Sequence, residues 1–142
     1  MNDIERLMEV IEVSGRLRDG GTCTISANRQ EVERHNLEGG LYYTFTRPED
    51  GSKILYILED GKGKKLGSKT KGMSMLHLIT GTKSTYGYRN NDPFDNRQIN
   101  MLSKRQAATY RWGTDSEQQH AGVELDETHK IQRYLRNNRC SN

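Results

Sequence analysis

LYYTFTR (Leu41–Arg47), PEDG (Pro48–Gly51) and KILYILE (Lys53–Glu59) decide how this chain is read, because they spell strand, turn and strand. Aromatic and β-branched side chains fill both outer segments, which suits a pleated, half-buried surface. Between them, Pro48 restricts the backbone at the entrance of a tight turn. Asp50 then offers a side-chain acceptor, and Gly51 tolerates positive φ. Working outward, TCTISA (Thr22–Ala27) is another short β-prone segment. Asp60 and Gly61 open a second turn, after which Lys64–Gly67 is a candidate edge strand whose lysines discourage further pairing. Residues 22–67 are therefore expected to form a small antiparallel sheet of three or four strands.

Helical patterns flank this region. Ile4, Leu7, Met8 and Ile11 recur at i, i+3, i+4 and i+7, which predicts an amphipathic helix over 3–18. Its apolar face can pack on the sheet or pair with a second copy as a homodimer. Residues 29–37 read as a short polar helix behind Asn28. Ser68 or Thr70 can cap a helix running to Ile79 and ended by Gly81; 82–95 reads as a polar loop. Asn96 can cap a helix at 97–111, and a last helix runs from Asp126 to Asn137 with Ile131, Tyr134 and Leu135 on its apolar side. The expected class is α+β: a small antiparallel sheet followed by three helices, with an extra N-terminal helix. Residues 1–40 form an extension and 41–142 the main domain.

A chain of 142 residues suits one domain, and 32% hydrophobic content with a mean hydropathy of −0.96 implies a small core with many polar loops. No apolar run is long enough to span a membrane, and the first residues lack the basic leader and apolar core of a signal peptide. Cys23 and Cys140 stand far apart, outside any zinc-ligand spacing, so a reducing, cytoplasmic setting is expected.

Charge is distributed unevenly. Residues 61–111 hold eleven Lys and Arg against two acids, a net of +9, whereas residues 1–60 hold seven bases and twelve acids, a net of −5. Clustered positive charge is the footprint of a polyanion partner, and it is also how a solvated surface looks. Lys62, Lys64, Lys65, Lys69 and Lys71 are the candidate phosphate contacts. Lys130, Arg133, Arg136 and Arg139, spaced by three in the last helix, form a broad basic face; such a face suits a DNA groove, though cations also gather at helix C-termini to meet the macrodipole. Gly63–Thr70 stands between a strand and a helix but lacks the Gly-Lys-Ser/Thr ending of a phosphate-binding loop. Glu49, Asp50, Asp60 and Lys62 raise a metal-nuclease reading, in which Asp60 and Lys62 have the acid-x-Lys spacing and Asp50 is a second carboxylate; Asp50-Gly51 and Asp60-Gly61 are also ordinary turn pairs. Tyr86, Tyr88, Phe94, Tyr110 and Trp112 interleave with the basic stretch and can stack on bases or complete a core. No catalytic, metal-ligand or cofactor pattern is evident.

GMSMLHLIT (Gly72–Thr80), Arg111-Trp112-Gly113 and HKIQRYLR (His129–Arg136), preceded by the sheet, resemble the winged-helix DNA-binding domain of the response-regulator effector type. The resemblance implies that the last helix is a recognition helix, with Lys130, Arg133 and Arg136 on double-stranded DNA. The expected function is that of a small, non-enzymatic DNA-binding protein with a regulatory role. The alternative is a protein-interaction module, such as a phage- or plasmid-encoded inhibitor of a host nucleic-acid machine. A metal-dependent nuclease is a third reading.

Overall fold

The structure, a computed structural model, describes residues 3–110. Helix α1 (Asp3–Met8) leads into strands β1 (Val10–Leu17) and β2 (Thr22–Asn28), helix α2 (Arg29–His35), and strands β3 (Leu41–Thr46) and β4 (Lys53–Glu59). After a long loop come β5 (Met73–Ser74), α3 (Met75–Thr80), β6 (Thr85–Tyr88), β7 (Asp95–Asn96), a 3-10 turn (Gln98–Asn100), β8 (Met101–Ser103) and α4 (Lys104–Ala107). Six strands form one curled mixed sheet in the order β5-β4-β3-β1-β2-β7, and β6 pairs with β8 in a second, two-stranded sheet.

This architecture overturns the α+β expectation and the winged-helix resemblance. The described residues are dominated by a mixed sheet, and their four α-helices are no longer than seven residues. Strands β1 and β2, from before residue 41, belong to the same sheet as β3 and β4; β1 lies between β2 and β3 and runs parallel to β3. The expected last helix, and the Trp112-Gly113 expected to end the helix before it, lie outside the described residues.

The helix expected over 3–18 stops at Met8. From Val10 onward, burial alternates from one residue to the next, the period of a strand. Ile4 and Met8, half of the apparent helical stripe, remain 74% and 51% exposed. What selects the strand is distant in sequence. Gly15 faces the ring of Tyr42, where a Cβ would lie 2.7 Å from two ring carbons. A second departure is at 97–111. Asn96 does not cap a helix; its side chain is buried, accepts from the Tyr88 hydroxyl at 2.7 Å and donates to the Pro93 carbonyl at 2.9 Å. Residues 101–103 instead pair with 85–88, inside the stretch expected to be loop. The helix begins only at Lys104, where Ser103 and Gln106 form a reciprocal capping box.

Other local signals translate directly. The turn at 48–51 closes with Asp50 accepting from the Ser52 amide at 2.9 Å, and β4 spans Lys53–Glu59 as expected. Gly81 ends α3 in the left-handed conformation, although Ser74, not Ser68 or Thr70, caps its start. Lys64–Gly67 contributes a single bridge, Glu59 to Lys65, in place of an edge strand. The core gathers around Tyr42, with Ile25, Leu37, Leu55, Ile57, Met75 and Tyr88 fully buried.

Candidate nucleic-acid interface

Because directly opposed residues in a sheet share a face, the register of β1, β3 and β4 fixes which side chains meet. Arg16 is opposite Leu41, which is opposite Glu59. Two residues further along, Tyr43 is opposite Tyr56, and the Arg18 amide bonds to the Tyr42 carbonyl at 2.8 Å, which brings Arg18 beside Tyr43. The result is two cross-strand rows. In the first, Arg16 donates to Glu59 at 3.0 Å and Lys65 pairs with the other oxygen of the same carboxylate. In the second, the Arg18 guanidinium lies 3.9 Å from the centre of the Tyr43 ring, which stacks on Tyr56 at 5.1 Å and 8°. Phe45, two residues beyond Tyr43, leaves 47% of its surface exposed.

The loop from Asp60 to Gly72 carries Lys62, Lys64, Lys65, Lys69 and Lys71, all exposed. Its shape comes from two tight turns. Asp60 accepts from the amides of Lys62 and Lys64, each at 2.9 Å, and these bonds hold its carboxyl below the usual carboxylate range. Ser68 and Gly72 exchange backbone bonds of 3.2 and 2.9 Å, and the Ser68 hydroxyl caps the Lys71 amide at 3.0 Å. The Tyr43 hydroxyl then donates to the Lys71 carbonyl at 2.6 Å, which ties the loop to the aromatic row. Glu59, pulled below its ordinary range by Lys65 and Arg16, is the acid set among these cations.

The five loop lysines named from sequence are thus on one loop beside one face. Lys130, Arg133 and Arg136 lie outside the described residues. Sequence reasoning missed Arg18, Tyr43 and Tyr56. The alternation Tyr43-Thr44-Phe45 against Tyr56 was a signal for a shared aromatic face; the arrival of Arg18 depends on the β1–β3 pairing, which no local pattern announces. Of the aromatics singled out, Tyr88 is in the core, and Tyr86 lies beneath the Arg47 guanidinium, 3.7 Å from its ring centre, with its hydroxyl on Asp50 at 2.5 Å. The carboxylates weighed for metal are engaged elsewhere: Asp60 within its own turn, Asp50 with Ser52 and Tyr86. Among the described residues, no group of three or more His, Cys, Asp or Glu is placed to hold a metal.

A second basic region surrounds His77 on α3. Partial burial, followed by the charges of Lys83, Lys104 and Arg47, pushes its imidazole below the ordinary histidine value. A base with a lowered folded pKa takes up fewer protons when folded, so stability should fall as pH drops through the unfolded value near about 6.5. His77→Gln is expected to flatten that part of a stability–pH profile measured by urea unfolding; an unchanged slope between about pH 7 and 5 would remove this role.

No protein-family model, curated protein or solved structure matches this chain. Among the described residues, no helix is long and apolar enough to cross a membrane.

Proposed function

We propose that this chain is a small, non-enzymatic nucleic-acid-binding protein of the cytoplasm. The observation that carries the reading is the bond from Tyr43 to the Lys71 carbonyl, which anchors the loop bearing five exposed lysines to an arginine–tyrosine face. Lysines in a loop supply phosphate contacts of adaptable geometry, while a sheet face supplies rigid aromatic surface. Scattered surface lysines would lack that fixed relation to a second kind of recognition group.

Fluorescence anisotropy with labelled oligonucleotides, single- and double-stranded, tests the proposal. Binding should weaken linearly in log–log coordinates as salt rises from about 50 to 200 mM. Each Lys→Gln change among Lys62, Lys64, Lys65, Lys69 and Lys71 that removes a phosphate contact should flatten the slope by about 0.7–0.9. Absence of binding to either form at low salt would reject the reading. The exposed side chains of Ile4, Met8 and Val10 favour a second one, contact with another protein. Capture of a defined host partner, with no oligonucleotide binding, would select it.

A further inference from the structure

We infer that the polymer is single-stranded and that Arg18 holds the place of a base on Tyr43. This rests on the nucleic-acid reading above and narrows it. Tyr43 and Tyr56 are nearly parallel because their strands are in direct register, so the sheet backbone sets their spacing before any ligand arrives. The hydroxyl bond to Lys71 further restrains Tyr43 and starts the lysine loop at the edge of its ring. The outward face of Tyr43 is covered by a planar, exposed guanidinium 3.9 Å from the ring centre. A nucleobase offers the same flat contact. At an exposed site a base–aromatic stack is worth more than a cation–π contact, so a base should win the position. Arg18 would then be free to turn its fork toward the phosphate that arrives with the base.

Phe45 extends the argument. It is two residues from Tyr43 on the same strand, about 7 Å away, and presents a second exposed ring to a neighbouring base. A duplex cannot use these rings, because its base faces are already stacked and only their edges are open. The duplex expected from sequence depended on a helix at 126–137, which lies outside the described residues.

The test uses the full chain and a short oligonucleotide containing one 2-aminopurine, single-stranded and annealed to its complement, in parallel with anisotropy. Binding of the single strand should quench the 2-aminopurine and be roughly tenfold tighter than binding of the duplex. Tyr43→Leu should abolish quenching and weaken single-strand binding roughly tenfold. Tyr43→Phe, which keeps the ring and loses the Lys71 bond, should retain quenching. Arg18→Ala should also retain quenching while flattening the salt slope by about 0.7. Circular dichroism melts verify that each variant is folded. Equal or tighter duplex binding, or single-strand binding that ignores Tyr43→Leu, would overturn the single-strand inference and leave phosphate binding by the lysines standing. Binding of neither form overturns both.

Discussion

Gly72→Ala is expected to lower the melting temperature by roughly 10 °C or more. Gly72 has φ +71°, a left-handed conformation that costs an L side chain about 1 kcal/mol. Its added Cβ would also overlap the carbonyl oxygen of Ile57 and lie 2.9 Å from the carbonyl carbon. Ile57 cannot yield, being fully buried in β4 and paired with Met73 on one side and Tyr42 on the other. Overpacking of this kind costs about 1–3 kcal/mol, and together the terms approach about 2–4 kcal/mol. For a chain of 142 residues, between the small and larger domain scales, each kcal/mol moves the midpoint by roughly 3–5 °C. Gly51→Ala separates the two contributions. Gly51 has φ +74° and nothing within 4 Å of an added Cβ, so it should lose only the conformational part. Equal losses in thermal melts of the two variants would mean that the lysine loop does not press on β4 as described.

Tyr42→Ala is the other large effect, an expected loss of about 3–5 kcal/mol from the cavity alone. The ring is fully buried and fills the space left by Gly15 and Gly40, where a Cβ would come within 2.7 and 2.9 Å of it. Its hydroxyl donates to the Leu37 carbonyl at 2.5 Å, and so joins the α2–β3 connection to the sheet. Tyr42→Phe keeps the packing and leaves that carbonyl with the Gly40 amide alone, at 3.2 Å, for an expected loss of about 0.5–1.5 kcal/mol in urea unfolding. The pair of variants therefore divides shape from hydrogen bonding; a harmless Tyr42→Phe would show that the Gly40 amide suffices for the Leu37 carbonyl. Burial, with smaller contributions from Cys23 and Asp60, raises the Tyr42 phenol well above its ordinary value. A group with a raised folded pKa stabilises the fold below the unfolded value and ceases to do so as pH rises. The wild type should accordingly lose stability above about pH 10, and Tyr42→Phe should lose less over the same range.

Some of the fold was legible because it is written locally. The 41–59 hairpin needs only alternation and a turn between two β-prone runs, and Gly81 needs only a helix to end. The same logic failed at 10–17. Ile4, Leu7, Met8 and Ile11 satisfy a helical period by themselves, but the strand gains its partners from Tyr42 and from residues 22–28. Likewise, taken one at a time β6 reads as polar loop and β8 as part of a helix, and they become strands through each other and the buried Tyr88–Asn96 pair. Of the short patterns that the winged-helix resemblance joined, Gly72–Thr80 lies among the described residues, where it spans a tight turn, β5 and α3 at one end of the mixed sheet; Arg111–Gly113 and His129–Arg136 lie outside them. In the candidate interface, exposed lysines could be anticipated from composition. The Arg18–Tyr43–Tyr56 stack could not, since its first member arrives through a parallel pairing across more than twenty residues of chain.

The two strands that end the six-stranded sheet, β5 and β7, are each two residues long. A ladder that short gives an incoming chain few backbone groups to copy. The rims are thereby guarded against edge-to-edge association, the usual hazard of an open sheet with aromatic residues on its surface. Such a molecule can carry Phe45 and the tyrosine row on its surface without inviting fibre growth, and the proposed binding would run through side chains on the broad face, away from strand addition at the border.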